Sequence, residues 1–472
     1  MSRGFILLDF QNEPIYTIHK SIGGGAVTLN MTQGRPFSLL LKFAFPLMLS
    51  SLLQQLYTLC DSVIVGRLLG TVAFTATGSA SYLNWFPLGM LMGAIHGFGV
   101  ALSQRFGAGE REEFRRFSGC AMVLSLGLGL FFSVFGSLWA EGFLAALNTP
   151  GELMDPASRY IRVVWAGFCI TAMMNILNTT LMAMGDSRTP LIALAVSSGV
   201  NIALDLVFIG WFRWDVEGAA LATVLAQASA AIPSYLALRR SAIGLPGPDH
   251  FRPRKYILKE LIRLGFPQLL SFGVIASGEL IVQAVINSYG VVFVTGMTAA
   301  RRYFNLTNVV GGALEGSLVT FVGQNYGARR YDRIRLGTRT AVAMGLCASL
   351  LTGFAVFLLA EPMIRFFIPQ GSPESIRIGT EALRVLALFL SFLYLLCEFR
   401  AAIQGMGNVI IPMFSGLLEL AVRILFALVI PLQMGQKALY FTDAATWIPT
   451  MAMLIISYLV IRRKYPVSGR KM

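Results

Sequence analysis

Three short stretches of this chain recur at one nearly constant offset, and that repetition limits the fold more than any other feature. Phe45-Pro46 returns as Phe266-Pro267, SQRFGAG at 103–109 as GQNYGAR at 323–329, and Gly185…Pro190 as Gly407…Pro412, each 220 to 222 residues on. Each lies in or beside a long apolar run. Such runs begin near Phe37, Thr77, Arg115, Arg159, Thr189 and Gly218, then near Ile257, Val291, Thr338, Ser375, Ile410 and Leu439. Most are long enough to cross a bilayer core of about 30 Å as a tilted helix. The expected fold is therefore an all-α integral membrane protein of about twelve transmembrane helices. An even number of crossings per half gives both halves the same orientation, so two six-helix lobes are related by a pseudo-two-fold axis along the membrane normal.

Composition agrees with that reading. The chain is 55% hydrophobic and 13% charged, with a mean hydropathy of +0.66, whereas a soluble protein carries roughly a quarter charged residues. The expected divisions are a cytoplasmic tail at 1–36, a first lobe at 37–238, a cytoplasmic linker at 239–257, a second lobe at 258–463 and a cytoplasmic tail at 464–472. The net charge of +14 reads as topology rather than nucleic-acid binding. With both termini cytoplasmic, about two dozen basic residues fall in inner loops and tails, against about four outside (Arg67, Arg213, Arg365, Lys437). Location in the plasma (cell inner) membrane follows.

Residues 1–30 differ from the rest. GFILLDF is too short for a secretory signal, and Met31 precedes a credible start of its own. The expectation is a segment that is disordered or outside the natural reading frame. The five cysteines (Cys60, Cys120, Cys169, Cys347, Cys397) show no metal-type spacing and read as small buried hydrophobes. The three histidines form no ligand set, and no HExxH or GxSxG occurs, so the chain is not expected to be an enzyme or to hold a cofactor.

The chemistry lies in ionisable residues placed at membrane depth. Asp61 sits in an apolar run, and an ionised Asp near the centre of a span costs roughly 2.5–3.5 kcal/mol on insertion scales. Gln54, Thr58 and Asp61 share one helical face, which must look into a cavity or protein interior. Asp205 has Asn201 one turn before it. The fourth segment offers Asn175 and Asn178, the sixth Thr223 and Gln227. No basic side chain of the first half lies at that depth, so the two acids cannot both stay ionised cheaply. They suit a shared proton, or a small hard cation held by carboxylate, amide and hydroxyl oxygens; acids resting in a polar core are the plainer reading. In the second half Glu279, Glu315, Glu398 and Glu419 are matched by Arg301, Arg302, Arg400 and Arg423, and Glu419 is spaced to pair with Arg423 along one helix. A structural ion-pair network is expected there. Glu279, with Gln283 one turn on, is the best functional exception. Gln54, Asn175, Asn178, Glu279 and Gln283 are the candidate substrate-binding residues.

Taken together, FPLMLSSLLQQLYTLCDSVIVGRLLG, SQRFGAGE, MGDSRTP, NIALDLVFI, EGAALATVLAQ and QNYGARRYDRI resemble the multidrug and toxic compound extrusion (MATE) family, over nearly the whole chain beyond Met31. The resemblance implies two six-helix lobes around a V-shaped cavity. It also implies antiport of lipophilic, often cationic, drugs or toxins against H⁺ or Na⁺ as coupling ion. The prokaryotic branch implies a cation site at Asp61, Asn201, Asp205 and Thr223, with Tyr160 nearby in some members. Asp61 and Asp205 would then be the metal ligands if Na⁺ is the ion. Some members place the cation site in the second lobe, where Glu279 and Glu398 would serve. The implied partners are small molecules and membrane lipids, with no nucleic acid, and a monomer is expected. A lipid-linked oligosaccharide flippase of the same superfamily is the alternative, kept open by the second-half arginines.

Overall fold

A backbone in hydrocarbon must satisfy its own polar groups, which a helix does locally. In the computed structural model, which describes residues 28–147 and 149–465, the described residues contain helices and no strand. The segment GFILLDF and most of the anomalous amino-terminal stretch lie outside the described residues. The first half comprises α1 (Pro36–Leu68), α2 (Gly70–Gly107), α3 (Arg111–Ala146), α4 (Gly151–Ala166), α5 (Phe168–Ala183), α6 (Arg188–Asp205) and α7 (Val216–Arg240). The second comprises α8 (Lys255–Ser288), α9 (Val291–Gly327), α10 (Tyr331–Phe367), α11 (Pro373–Gly405), α12 (Ile410–Ile424), the single turn α13 (Pro431–Met434) and α14 (Thr442–Arg463).

Nine of these are individually long and apolar enough to cross, counting α6 with its π-helical extension to Trp211. The segment read as one fourth crossing is α4 and α5, bent by 48° at Gly167. That glycine has a packing reason. A Cβ there would lie 2.5 Å from a methyl of Val224 on α7. The last 54 residues of helix, Ile410–Arg463, are more than twice what one crossing needs; α12 and α14 pack side by side as two. Among the described residues the total is twelve crossings.

The largest apolar cluster gathers residues of α2–α7 with Val65 of α1, the first turns of α8 and Val409; a second joins Met31 and the first turns of α1 to α9–α11 and α14, and a third unites residues of α8–α11 with Ala427, Leu439 and Tyr440. Between the lobes α2 packs on α8, and its repeat-related counterpart α9 packs on α1. Gly93 and Gly97, four apart on α2, meet the α8 backbone at Gln268 and Leu264, the small-residue contact that lets membrane helices approach closely.

At the face carrying the basic loops the lobes interlock in a reciprocal pair of contacts. Gln104 Nε2 donates to the Gly405 carbonyl (2.9 Å), and Gln324 Nε2 donates to the Ala183 carbonyl (2.9 Å). These two bonds are related by the sequence repeat. A Cβ on Gly107 would lie 1.9 Å from the Gln324 oxygen, and one on Gly327 1.8 Å from the Gln104 oxygen. Only glycine permits this approach. The contacts of α1 with α9 run up to Leu47, Met48 and Val310. Beyond them Leu52, Gln54, Leu56 and Thr58 on α1 are exposed, so the lobes part toward the opposite face.

Charges at that opposite face are neutralised locally. Arg159 bridges Asp155, Asp215 and Glu217, Arg162 pairs with Glu141, Arg365 with Glu361, and Arg377 with Glu374 and Glu381. Arg159, Arg162 and Arg377 thus add to the basic residues counted there from sequence, each beside carboxylates. The cysteine expectation needs correction. Cys120 and Cys397 are buried, but Cys60 and Cys347 are exposed, because their helix positions face out of the bundle rather than into it.

Candidate functional site

The amino-terminal lobe brings its membrane-depth acids together. Asp61 sits on α1, half-buried, with Oδ1 enclosed and without a partner. Asp205 is the last residue of α6 and fully buried, as is Asn201 one turn before it. The carboxyls of Asp61 and Asp205 are close enough to interact electrostatically. Neither oxygen of Asp205, and neither polar atom of the Asn201 amide, has a donor or acceptor among the described residues. Ionised carboxylates only accept. Two of them this close are therefore favourable only with a proton or a cation between them.

Three aromatic and hydroxyl side chains surround the acids. Tyr57, four residues before Asp61 and so on the same side of α1, lies near Thr223 on α7 and near both carboxyls. Tyr160 on α4 is buried and lies near Ser81 on α2 and both acids. Thr223 turns its hydroxyl to the Ala219 carbonyl (3.1 Å). Five helices thus converge around Asp61, Asp205, Thr223 and Tyr160, with Asn201 adjoining on α6. Sequence reasoning left out Tyr57 and Ser81. The i, i+4 spacing of Tyr57 and Asp61 was the available signal for the first; nothing along α2 marked the second. Directly after Asp205 the helix widens into a π-helical segment, Leu206–Trp211, and a second one, Leu425–Val429, follows α12. Such segments inside helices are frequent at functional sites.

Hard oxygen donors of this kind fit H⁺ or Na⁺ and not a softer metal. Among the described residues no group of three or more His, Cys, Asp or Glu could hold a metal ion.

The candidate substrate residues are placed less uniformly. Gln54 is exposed on α1, on the Asp61 face. Asn175 donates to the Thr171 carbonyl of its own helix (2.8 Å). Asn178 accepts from Ser234 on α7 (2.7 Å) and donates to Met174 Sδ (3.1 Å). Its amide therefore braces α5 against α7, beside the hydrogen bond between Thr171 and Gln227. Gln283 donates to Asn287 (2.8 Å). Glu279 lies near Arg423, Arg301 and Asp443.

The carboxy-terminal lobe is an ion-pair network, with different partners from those the spacing suggests. Glu419 pairs with Arg400 of α11 rather than with Arg423 of its own helix. Arg423 and Arg301 converge on Asp443 at 3.4 and 3.5 Å. A cross-helix carboxylate wins because a spanning helix packed on two neighbours offers its arginines better geometry there than along its own axis. Glu398 stays outside the network, 1% exposed with neither oxygen bonded. Breaking a buried pair strands a charge, so Arg400→Ala is expected to destabilise the chain by roughly 3–5 kcal/mol, whereas Arg400→Met with Glu419→Leu recovers most of that. Thermal unfolding in detergent measures both. Equal losses in the single and double variants would contradict the pairing.

Comparison with known proteins follows the same lines. The model of a family described as MatE matches residues 46–207 and 267–429, one match in each half. "Probable multidrug resistance protein YpnP" of Bacillus subtilis is 27% identical over 414 residues, covering 87% of this chain and 92% of that protein. "Probable multidrug resistance protein NorM" of Thermotoga maritima is 26% identical, covering 79% and 81%. Among solved structures, "Outward-facing conformation of a multidrug resistance MATE family transporter of the MOP superfamily" superposes with a TM-score of 0.85 at 22% identity, covering 94% of this chain and all of that one.

Proposed function

The chain belongs to the MatE family, and on that premise we propose that it is a secondary antiporter exporting lipophilic, often cationic, drugs or toxins in exchange for H⁺ or Na⁺. Its relatives are named as multidrug resistance and multidrug export proteins. The single observation carrying the ion-coupled reading is the pair of neighbouring carboxyls, Asp61 and Asp205, with no donor to Asp205 among the described residues. A site that must acquire a proton or cation to be stable is a site that can respond to its gradient. Asn201, Thr223, Tyr160 and Tyr57 complete it.

In this mechanism the basic face is cytoplasmic, as are both termini, and the interlocked form is the one open to the outside. From the outside H⁺ or Na⁺ enters between Asp61 and Asp205. Gln54, Asn175, Asn178, Glu279 and Gln283 remain the candidates for contact with the drug. Drug and ion favour opposite states, so each lowers the affinity for the other. The protein works as a monomer in the plasma membrane, since each chain carries both lobes.

Inside-out vesicles test this. With an imposed pH or Na⁺ gradient, adding a lipophilic cation is expected to speed collapse of the gradient that is coupled, and only that one. Gradients that decay at the same rate with and without every compound tried would refute coupled exchange. The flippase reading needs an uncommitted cationic cavity for a pyrophosphate headgroup. Arg301, Arg400 and Arg423 are instead held by carboxylates, which favours the drug antiporter.

A further inference from the structure

The reciprocal glutamines at the basic face are equivalent in sequence but not in their surroundings. Gln104 makes its one bond across the lobes to Gly405. Gln324, fully buried, spends both ends of its amide. While Nε2 donates to Ala183, Oε1 accepts from the Met31 backbone N–H at 2.9 Å. Met31 belongs to a short extended strap that leads into α1. The strap is held almost wholly by the opposite lobe. Asn325 Nδ2 donates to the Met31 carbonyl (3.0 Å), Arg333 Nη2 to the same oxygen (3.1 Å), and Arg330 Nη1 to the Thr32 carbonyl (2.8 Å). On the amino-terminal lobe Leu29 N–H donates to Gly185 (3.2 Å). Gly185, at φ +88°, has no room for a side chain, since a Cβ would meet the Leu29 oxygen at 2.1 Å. Met31 itself is 0% exposed, seated in the apolar cluster of the carboxy-terminal lobe.

A strap continuous with one lobe and hydrogen-bonded into the other must be released, on one side or the other, when the two separate. Two of its bonds go to α9, one to α10, one to Arg330 between them, and one to Gly185. Ahead of α8 the chain likewise lies on the other lobe, the His250 and Arg252 carbonyls facing Cys120 Sγ of α3 at 3.8 and 3.7 Å, but that stretch is the covalent linker between the lobes, whereas the strap at Met31 is not. We propose that residues Leu29–Thr32 form a latch on the closed basic face, with Gln324 coupling its release to the parting of the lobes. The inference rests on the antiport reading above, in which drug and ion favour opposite states. It adds a conformational role for a segment that lies outside both matched regions of the chain.

The test uses the full-length chain with its five cysteines replaced and one reporter, Ser103→Cys. Ser103 is 2% exposed and lies against Gly323 of the other lobe, so it is reachable only when the basic face opens. Its labelling by N-ethylmaleimide is followed in inside-out vesicles. Met31→Asp puts a charge in a dry seat and evicts the strap, while Arg330→Ala removes one exposed tether with little risk to folding. Met31→Asp is expected to raise the labelling rate by about fivefold or more, a shift typical of coupling between two states, and Arg330→Ala by a smaller factor. Unchanged rates in both variants, each eluting as the parent does on size exclusion, overturn the latch. Gradient-coupled exchange measured on the same vesicles keeps the questions apart. Exchange with unchanged labelling rejects the latch alone, and raised labelling without exchange in the parent rejects the transport reading alone.

Discussion

Asp205→Asn and Asp61→Asn chains are each expected to lose concentrative efflux, the ratio of drug outside to inside falling to about 1, because a carrier uncoupled from its gradient only equilibrates its substrate. The reason is the pairing. Either amide supplies a neutral donor where two acceptors now lie together, so the site no longer needs an external ion to be satisfied. Folding should survive. Asn is close to Asp in size, and removing a potential charge from a spanning helix relieves a cost of roughly 2.5–3.5 kcal/mol. Accumulation of an ethidium-like cation in cells expressing equal amounts of each variant, with thermal unfolding as a control on the fold, measures both. A variant that still concentrates drug outward would remove Asp61 and Asp205 from the coupling step. Asn201→Ala is expected to have a smaller effect, since it removes an adjoining amide and leaves the two carboxyls in place.

Gly107→Val and Gly327→Val act on the other half of the cycle. Each would push a side chain into a carbonyl that lies within 2 Å of the Cβ position, 1.9 Å for Gly107 and 1.8 Å for Gly327. The steric partner is in the opposite lobe, so the penalty falls on the interlocked state and not on the fold of either lobe. Overpacking of this kind costs about 1–3 kcal/mol or more, and every 1.4 kcal/mol is roughly tenfold in an equilibrium. The interlocked form is therefore expected to lose about one to two powers of ten in population relative to the form open at the basic face. Distances between spin labels placed on the two lobes at that face should lengthen, and transport should stall with the protein still folded. Label distances that match the parent would show that the glycine approach is not what sets the equilibrium. The repeat makes the test internally controlled, because the two substitutions should act alike.

The lobes, the crossings and the acids were legible along the chain for identifiable reasons. Hydropathy reports a property of each residue summed over a window, so a twelve-crossing bundle shows in the order of residues alone. Duplication shows because Phe45-Pro46, SQRFGAG and Gly185 keep their offset. Asp61 and Asp205 stand out because an acid in hydrocarbon is costly wherever the rest of the chain lies. The same logic failed where a residue's role depends on its neighbour in space. Glu419 and Arg423 are correctly spaced to pair, yet each finds a partner on another helix. Cys60 and Cys347 are apolar enough to bury, yet face outward.

The sequence by itself determined that this chain spans a membrane in two repeated halves with two unneutralised acids in the first. Those are statements about transfer free energy and periodicity, which need no coordinates. Only the tertiary structure decided that Asp61 and Asp205 meet, that Tyr57, Tyr160 and Thr223 enclose them, and that Gln104, Gln324 and the strap at Met31 lock the basic face. Contacts between residues hundreds of positions apart arise from helix packing, and a local pattern carries no record of which faces end up opposed.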